Sequence, residues 1–221
     1  MTEADFLTMT RTAYDTVARS YADHLRDDLA QNPPDRAVLG LFAELVRGPV
    51  ADVGCGPGRI SGHLKRLGVD VSGIDLSPEM VAVARRDHPD VRFEVGSMLD
   101  LDLPDASLGG ALGWYSVIHV PWDLHPAVFA EFHRVLAPGG LLLMAFQVGD
   151  EVRRIEHGYG HDVQLDVYRL NPDRVLDRLV EAGFVPHTRL EREPVGSEKT
   201  PQAYLLVRKP GPVGAGQPSQ T

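Results

Sequence analysis

The chain has 221 residues, 43% hydrophobic and 24% charged, with a formal net charge of −9; this suits one α/β domain with a generous core and is short for two. The acidic balance disfavours a nucleic-acid partner, since phosphate backbones are held by clustered Lys and Arg, and the pairs Lys65-Arg66, Arg85-Arg86 and Arg153-Arg154 read as isolated surface charge. The single cysteine, Cys55, excludes an intramolecular disulfide or a cysteine-cluster metal site, the polar, acidic opening lacks the features of a secretory signal, and no apolar run approaches the ~20 residues of a membrane span, so a reducing cytoplasm is the expected setting.

In chain order, spacings of three and four among Tyr14, Val17, Ala18, Tyr21 and Leu25 predict a helix over 6–30. Gln31-Asn32-Pro33-Pro34 breaks it, and a second helix over 36–47 is expected to turn Val38, Leu41, Phe42 and Leu45 inward. Val50 to Val53 is a short apolar strand, followed by a glycine-rich turn over 54–58 and a helix carrying Ile60, Leu64 and Leu67. The alternation repeats with a strand over 69–74, then a helix opened by Ser77 as cap and Pro78 in its first turn. Further strands are expected over 91–95 and 108–113, the latter weakened by Gly109 and Gly110. A helix over 126–136 leads through the turn Pro138-Gly139-Gly140 into Leu141 to Phe146, an apolar run suited to a strand buried on both faces. A helix over 172–182 is stopped by Gly183. Strands over 184–190 and 203–207 have no helix between them and suggest an antiparallel hairpin at the sheet edge, and 210–221 reads as a disordered tail. The expected fold is therefore α/β, a Rossmann-like doubly wound sheet, mostly parallel, with helices on both faces. Residues 1–209 form one domain in this reading, with a helical lid and first helix over 1–48 and the sheet core over 49–209.

Asp52-Val53-Gly54-Cys55-Gly56-Pro57-Gly58 falls where the first strand meets its helix, the ligand end of a doubly wound sheet. Asp75 ends the second strand, roughly twenty residues after Gly54, where an acid typically accepts the ribose hydroxyls of an adenosine. A dinucleotide fingerprint wants a third glycine where this chain has Arg59. Asp52 adds negative charge that repels a pyrophosphate and suits the ammonium of a methionine moiety. The local chemistry thus favours S-adenosylmethionine over a nicotinamide dinucleotide.

The stretches ADVGCGPGR, GIDLSPEMVAVAR, RVLAPGG and LVEAGF make residues 14–207 resemble the class I S-adenosylmethionine-dependent methyltransferases. The resemblance implies a seven-stranded sheet ending in a reversed hairpin, and methyl transfer to a small-molecule acceptor through oxygen, nitrogen or carbon. It places Asp52, Gly54, Cys55 and Gly56 around the methionine part of the cofactor, Asp75 on the ribose and Leu76 on the adenine. Ser97 and Met98 fall at the adenine edge, although most relatives have Asp where this chain has Ser97. Trp114, Tyr115 and His119 follow the fourth strand, where donor and acceptor meet, and make His119 and Tyr115 the catalytic candidates, His119 as a base for a hydroxyl acceptor. Tyr14 and Tyr21 resemble the tyrosines of the family's amino-terminal lid, a spacing that core packing explains equally well.

The segment Glu156 to Asp162 (EHGYGHD) is expected to be a surface loop in an insertion over the acceptor, its histidines at 157 and 161 unsuited to a helical metal pair because glycines flank Tyr159. No metal is expected. Asn32-Pro33-Pro34-Asp35 is similar to the Asn-Pro-Pro-aromatic motif of amino-methylating DNA enzymes, yet it precedes the glycine turn and reads as a linker. Two rivals stay open at this point: a nicotinamide-dependent oxidoreductase, and a non-catalytic cofactor-binding module on the same fold.

Overall fold

In the computed structural model, residues 3–196 and 198–211 are described; the tail expected from residue 210 lies outside them from 212 onward. The elements in order are α1 (Glu3–His24), α2 (Asp28–Gln31), α3 (Pro33–Leu45), β1 (Val50–Val53), α4 (Arg59–Arg66), β2 (Val71–Asp75), α5 (Pro78–Asp87), β3 (Arg92–Val95) and β4 (Leu108–Trp114). After two short 3-10 turns come α6 (His125–Val135), β5 (Leu136–Gln147), β6 (Val152–Gly158), β7 (His161–Tyr168), α7 (Pro172–Glu181), β8 (Val185–Arg192) and β9 (Gln202–Arg208).

Seven strands form one sheet in the order β3-β2-β1-β4-β5-β9-β8. β1 to β5 run parallel, and β9 and β8 run antiparallel to their neighbours. Alternate strand residues feed two cores. Val53, Ala111, Leu142 and Met144 pack with Phe129 and Phe132 of α6 and Val175 and Leu179 of α7 on one face. Val50, Leu112, Leu143 and Leu206 pack with Phe42 of α3, Ile60 and Leu64 of α4 and Val81 of α5 on the other. The order of connection reverses between β1 and β4, so a crevice opens beyond their carboxyl ends.

Four local expectations need correction. Pro33 and Pro34 do not break a helix but begin α3, where their missing N–H groups cost nothing; Asn32 caps it, accepting from Asp35 N at 3.4 Å. Asn32 to Asp35 is thus a helix start and not a linker. Leu41 and Leu45, expected inward, are 41% and 37% exposed. β5 begins at Leu136, before the Pro138-Gly139-Gly140 turn, because Leu136 already pairs with Leu108. Gly109 does not weaken β4: a Cβ there would lie 1.5 Å from the Arg47 carbonyl oxygen, so the close approach of the preceding loop requires glycine. A fifth feature was not foreseen. Residues 152–168 form an antiparallel hairpin, β6–β7, outside the main sheet.

Asp35, 2% exposed, is a buried acid on α3, and burial raises its pKa. The Tyr204 hydroxyl on β9 donates to it, and Arg192 lies 3.6 Å from it while donating to that hydroxyl at 2.9 Å. This cluster ties the first core helix to the antiparallel edge. Tyr204→Phe leaves the carboxylate without its short donor and is expected to cost about 1–3 kcal/mol, read as a lower urea midpoint with unchanged slope. An unchanged midpoint would show that the cluster adds nothing to the fold.

Candidate functional site

The cofactor-binding and catalytic candidates read from the sequence line one cleft at the carboxyl ends of the strands: Tyr14, Tyr21, Asp52, Gly54, Cys55, Gly56, Asp75, Leu76, Ser97, Met98, Trp114, Tyr115 and His119. The glycine turn forms its floor. Gly54 has φ +75°, and a Cβ on it would meet the Ser116 Cβ at 2.2 Å, because Ser116 is drawn in by its bond to the Val53 carbonyl at 2.7 Å. Gly56 has φ +53°, and its added Cβ would meet only Tyr21 Cε1 at 3.9 Å, so a side chain there would project into the cleft.

Two carboxylates dominate the electrostatics. Asp52 is 1% exposed; Ser61 Oγ of α4 donates to its Oδ2 at 2.6 Å, whereas its buried Oδ1 has no donor. Burial lifts its pKa to about 6, against the opposing Ser61 bond. Asp75 accepts from Ser77 N at 2.9 Å through Oδ1 and from Gly56 N at 2.7 Å through Oδ2, and burial also lifts its pKa to about 6. It therefore ties the glycine turn to the start of α5 as well as facing the cleft. Arg59 reaches the same space. Its Nη1 lies 3.3 Å from Asp28 but forms no hydrogen bond. The Trp114 indole N–H is likewise buried without a partner.

Other candidates are more committed. Ser97 Oγ accepts from Leu99 N at 3.2 Å, holding its own turn. Met98 extends across the floor, its Cε 3.6 Å from where a Gly54 Cβ would sit. Cys55 is buried, with its thiol 3.6 Å from the Gly56 carbonyl and its pKa pushed well up by burial, which suits packing and not a nucleophile. Tyr115 has φ +52°, packs edge-on against Trp114 and shares a hydrogen bond with Tyr204, so its hydroxyl is turned toward the Asp35 cluster.

The roof is α1, and the β6–β7 hairpin packs against it. Asp15 docks α1 at the amino end of α5, accepting from Ser77 Oγ at 2.5 Å and Glu79 N at 3.3 Å. The Tyr14 hydroxyl lies 2.6 Å from His119 Nε2, and His119 Nδ1 lies 3.1 Å from the Asp166 carbonyl of β7. A carbonyl only accepts, so Nδ1 carries the proton and Nε2 accepts from Tyr14. Burial lowers the His119 pKa to about 4, which keeps the ring neutral. At the hairpin tip, Tyr159 packs edge-on against Tyr21 with centroids 5.0 Å apart. Its histidines do not converge: His157 bonds Asp162 at 3.0 Å, and no group of three or more His, Cys, Asp or Glu among the described residues is placed for a metal. No described helix is long and apolar enough to cross a membrane. Sequence reasoning missed Arg59, Ser61 and Ser116 as parts of the site.

Residues 50–140 match the family model described as a methyltransferase domain. Among its relatives is the malonyl-[acyl-carrier protein] O-methyltransferase of Pectobacterium atrosepticum, 30% identical over 146 residues, 65% of this chain and 56% of that protein. The trans-aconitate 2-methyltransferase of Rhizobium meliloti is 31% identical over 138 residues, 62% of this chain and 52% of that one. The chain spans about half the length of the curated relatives it matches. The Burkholderia thailandensis 1,6-didemethyltoxoflavin-N1-methyltransferase, solved with 1,6-didemethyltoxoflavin and S-adenosylhomocysteine, shares the fold with a TM-score of 0.76 at 22% identity, covering 95% of this chain and 91% of that one.

Tyr14→Phe removes the hydrogen bond that joins roof to floor. At roughly 1 kcal/mol, its loss is expected to speed amide exchange in α1 severalfold while leaving the β4 and β5 amides unchanged. Equal α1 exchange in the two proteins would contradict a latching role for this bond.

Proposed function

We propose that the chain is an S-adenosylmethionine-dependent methyltransferase acting on a small-molecule acceptor. The observation that carries the reading is the bare, buried Oδ1 of Asp52. A buried carboxylate oxygen without a donor is costly alone and favourable beside a cation. The cofactor's ammonium supplies that cation, and Arg59, paired with Asp28 at 3.3 Å but with no hydrogen bond at its Nη1, suits its carboxylate. A pyrophosphate in the same place would meet Asp52 as a like charge, which disfavours a nicotinamide dinucleotide.

The remaining roles follow from the cleft. Each Asp75 oxygen accepts one backbone N–H and keeps a lone pair for a ribose hydroxyl. Leu76 and Met98 offer apolar surface for the adenine, and the occupied Ser97 hydroxyl leaves backbone amides to read its edge. Gly54, Cys55 and Gly56 keep the floor low enough for the methionine chain, with Trp114 and Tyr21 as its walls. When bound, the cofactor supplies an electrophilic methyl carbon on a sulfonium. The protein's part is to exclude water beneath α1 and the hairpin and to hold the acceptor in line. For a hydroxyl acceptor, we assign the Nε2 lone pair of His119 as the proton acceptor, reached by displacing the Tyr14 hydroxyl. Tyr115, its own hydroxyl bonded to Tyr204, shapes the pocket. Relatives that act on malonyl-[acyl-carrier protein] and on trans-aconitate support a small or carrier-borne acceptor without choosing one.

Calorimetry with S-adenosylhomocysteine tests the site. Asp52 and Asp75 bind the ligand as carboxylates and hold their protons up to about pH 6 in the free protein. Ligand binding therefore releases protons below that pH, and affinity is expected to rise from pH 5 to pH 7 and level off above. Asp52→Asn is expected to weaken binding at pH 7 by at least ~10-fold, the loss of one charge-assisted hydrogen bond. Affinity that is flat over this range and indifferent to the substitution, or tighter binding of NAD, would overturn the assignment. Transfer of a labelled methyl group to a metabolite panel separates an enzyme from a binding module.

A further inference from the structure

Charges that stand apart in the sequence converge in a second groove on the protein. Arg26 from the segment after α1, Arg36 of α3, Arg59 and Arg66 of α4 and Arg86 of α5 line it, with His63 and His88 between them and Asp87 as the lone acid in the lining. In a chain of net charge −9, this lining carries five arginines against one acid.

Three of the five arginines have carboxylate partners: Arg26 with Asp23 at 2.5 Å, Arg59 with Asp28 at 3.3 Å and Arg86 with Asp87 at 2.7 Å. The other two do not. Arg36 is oriented by the carbonyls of Leu29 and Ala30, at 2.8 and 2.5 Å, which fix the guanidinium without neutralising it. Arg66 makes no hydrogen bond or ion pair with any described residue. The field is positive around His63, where, beyond burial, Arg66 and Arg36 both disfavour protonation, whereas at His88 the pull of Asp87 outweighs the push of Arg66. The groove meets the cleft at a shared border, since Pro57 and Arg59 line both.

We propose that this groove is a binding site for a phosphate-bearing ligand, with Arg36 and Arg66 as its principal contacts. Two uncompensated guanidinium forks, one held rigid by backbone carbonyls, match the planar, multidentate recognition of phosphate oxygens. The shared border gives a ligand anchored here a direct path to the floor of the cleft. The site stands on its own charges; that its occupant is the phosphate end of a methyl acceptor rests on the methyl-transfer reading above.

The test is calorimetric titration of the full chain with inorganic pyrophosphate, with and without saturating S-adenosylhomocysteine, in the wild type and in the double variant Arg66→Glu/Arg86→Glu. Both positions are exposed and outside the cofactor cleft, and S-adenosylhomocysteine binding by the variant reports that the fold is intact. Pyrophosphate is expected to bind the wild type, to do so equally well beside S-adenosylhomocysteine, and to lose at least ~10-fold in affinity in the variant. Arg66→Lys, which keeps the charge but loses the fork, is expected to bind with an affinity between those of the wild type and the double variant. Three results would overturn the proposal: no pyrophosphate binding at concentrations on the order of millimolar, equal binding by wild type and double variant, or competition with S-adenosylhomocysteine, which would put the anion in the cleft. Failure of S-adenosylhomocysteine to bind the wild type would instead count against the cofactor assignment and leave the groove result standing.

Discussion

Asp52 lies one residue before the end of β1, 1% exposed, with Ser61 donating to one oxygen and nothing donating to the other. A carboxylate in this condition resists ionisation, which is why its pKa rises to about 6. Asp75, at the end of the neighbouring β2, is raised to a similar value. The two acids face the same cleft, and the charge of Asp75 opposes ionisation of Asp52. The free protein thus stores an unfavourable arrangement that a bound cation relieves. The floor is built to preserve this arrangement: Gly54 lets Ser116 press against the turn, and the Gly56 amide is fixed by Asp75.

The roof converts that floor into an enclosed site. Asp15 anchors α1 on the first turn of α5, next to Asp75, so α1 and the acid that ends β2 share one structural joint. The chain Tyr14 to His119 to the Asp166 carbonyl then joins lid, floor and hairpin through a single neutral imidazole. Both ring nitrogens are engaged, so any proton transfer through His119 is coupled to opening of the Tyr14 bond.

Much of the fold was legible because its signals are local. The apolar run from Leu141 to Phe146 is buried on both faces, and Ser77-Pro78 caps and opens α5 as those residue types should. The antiparallel edge followed from two strands with no helix between them. The β6–β7 hairpin was not legible, because its strands are mostly exposed and carry charge where a core strand alternates apolar residues. One clue existed: Tyr159 and Gly160 both take positive φ, the two-residue turn that twisted hairpins prefer, with glycine at its second position. The cleft-lining set was readable from the glycine turn and the strand ends, yet its bonds were not. Tyr14 and His119 are 105 positions apart, and Arg59 was read only as a residue occupying a glycine's place. The basic groove was hidden for the same reason, its arginines lying on separate helices.

The most direct test of this account is a crystal structure of the chain with S-adenosylhomocysteine. The account expects the ligand's amino group within hydrogen-bond distance of Asp52 Oδ1, the ribose hydroxyls on Asp75 and the carboxylate toward Arg59. A bound ligand that leaves Asp52 Oδ1 without a donor, or that lies with its adenine over the glycine turn, would contradict it.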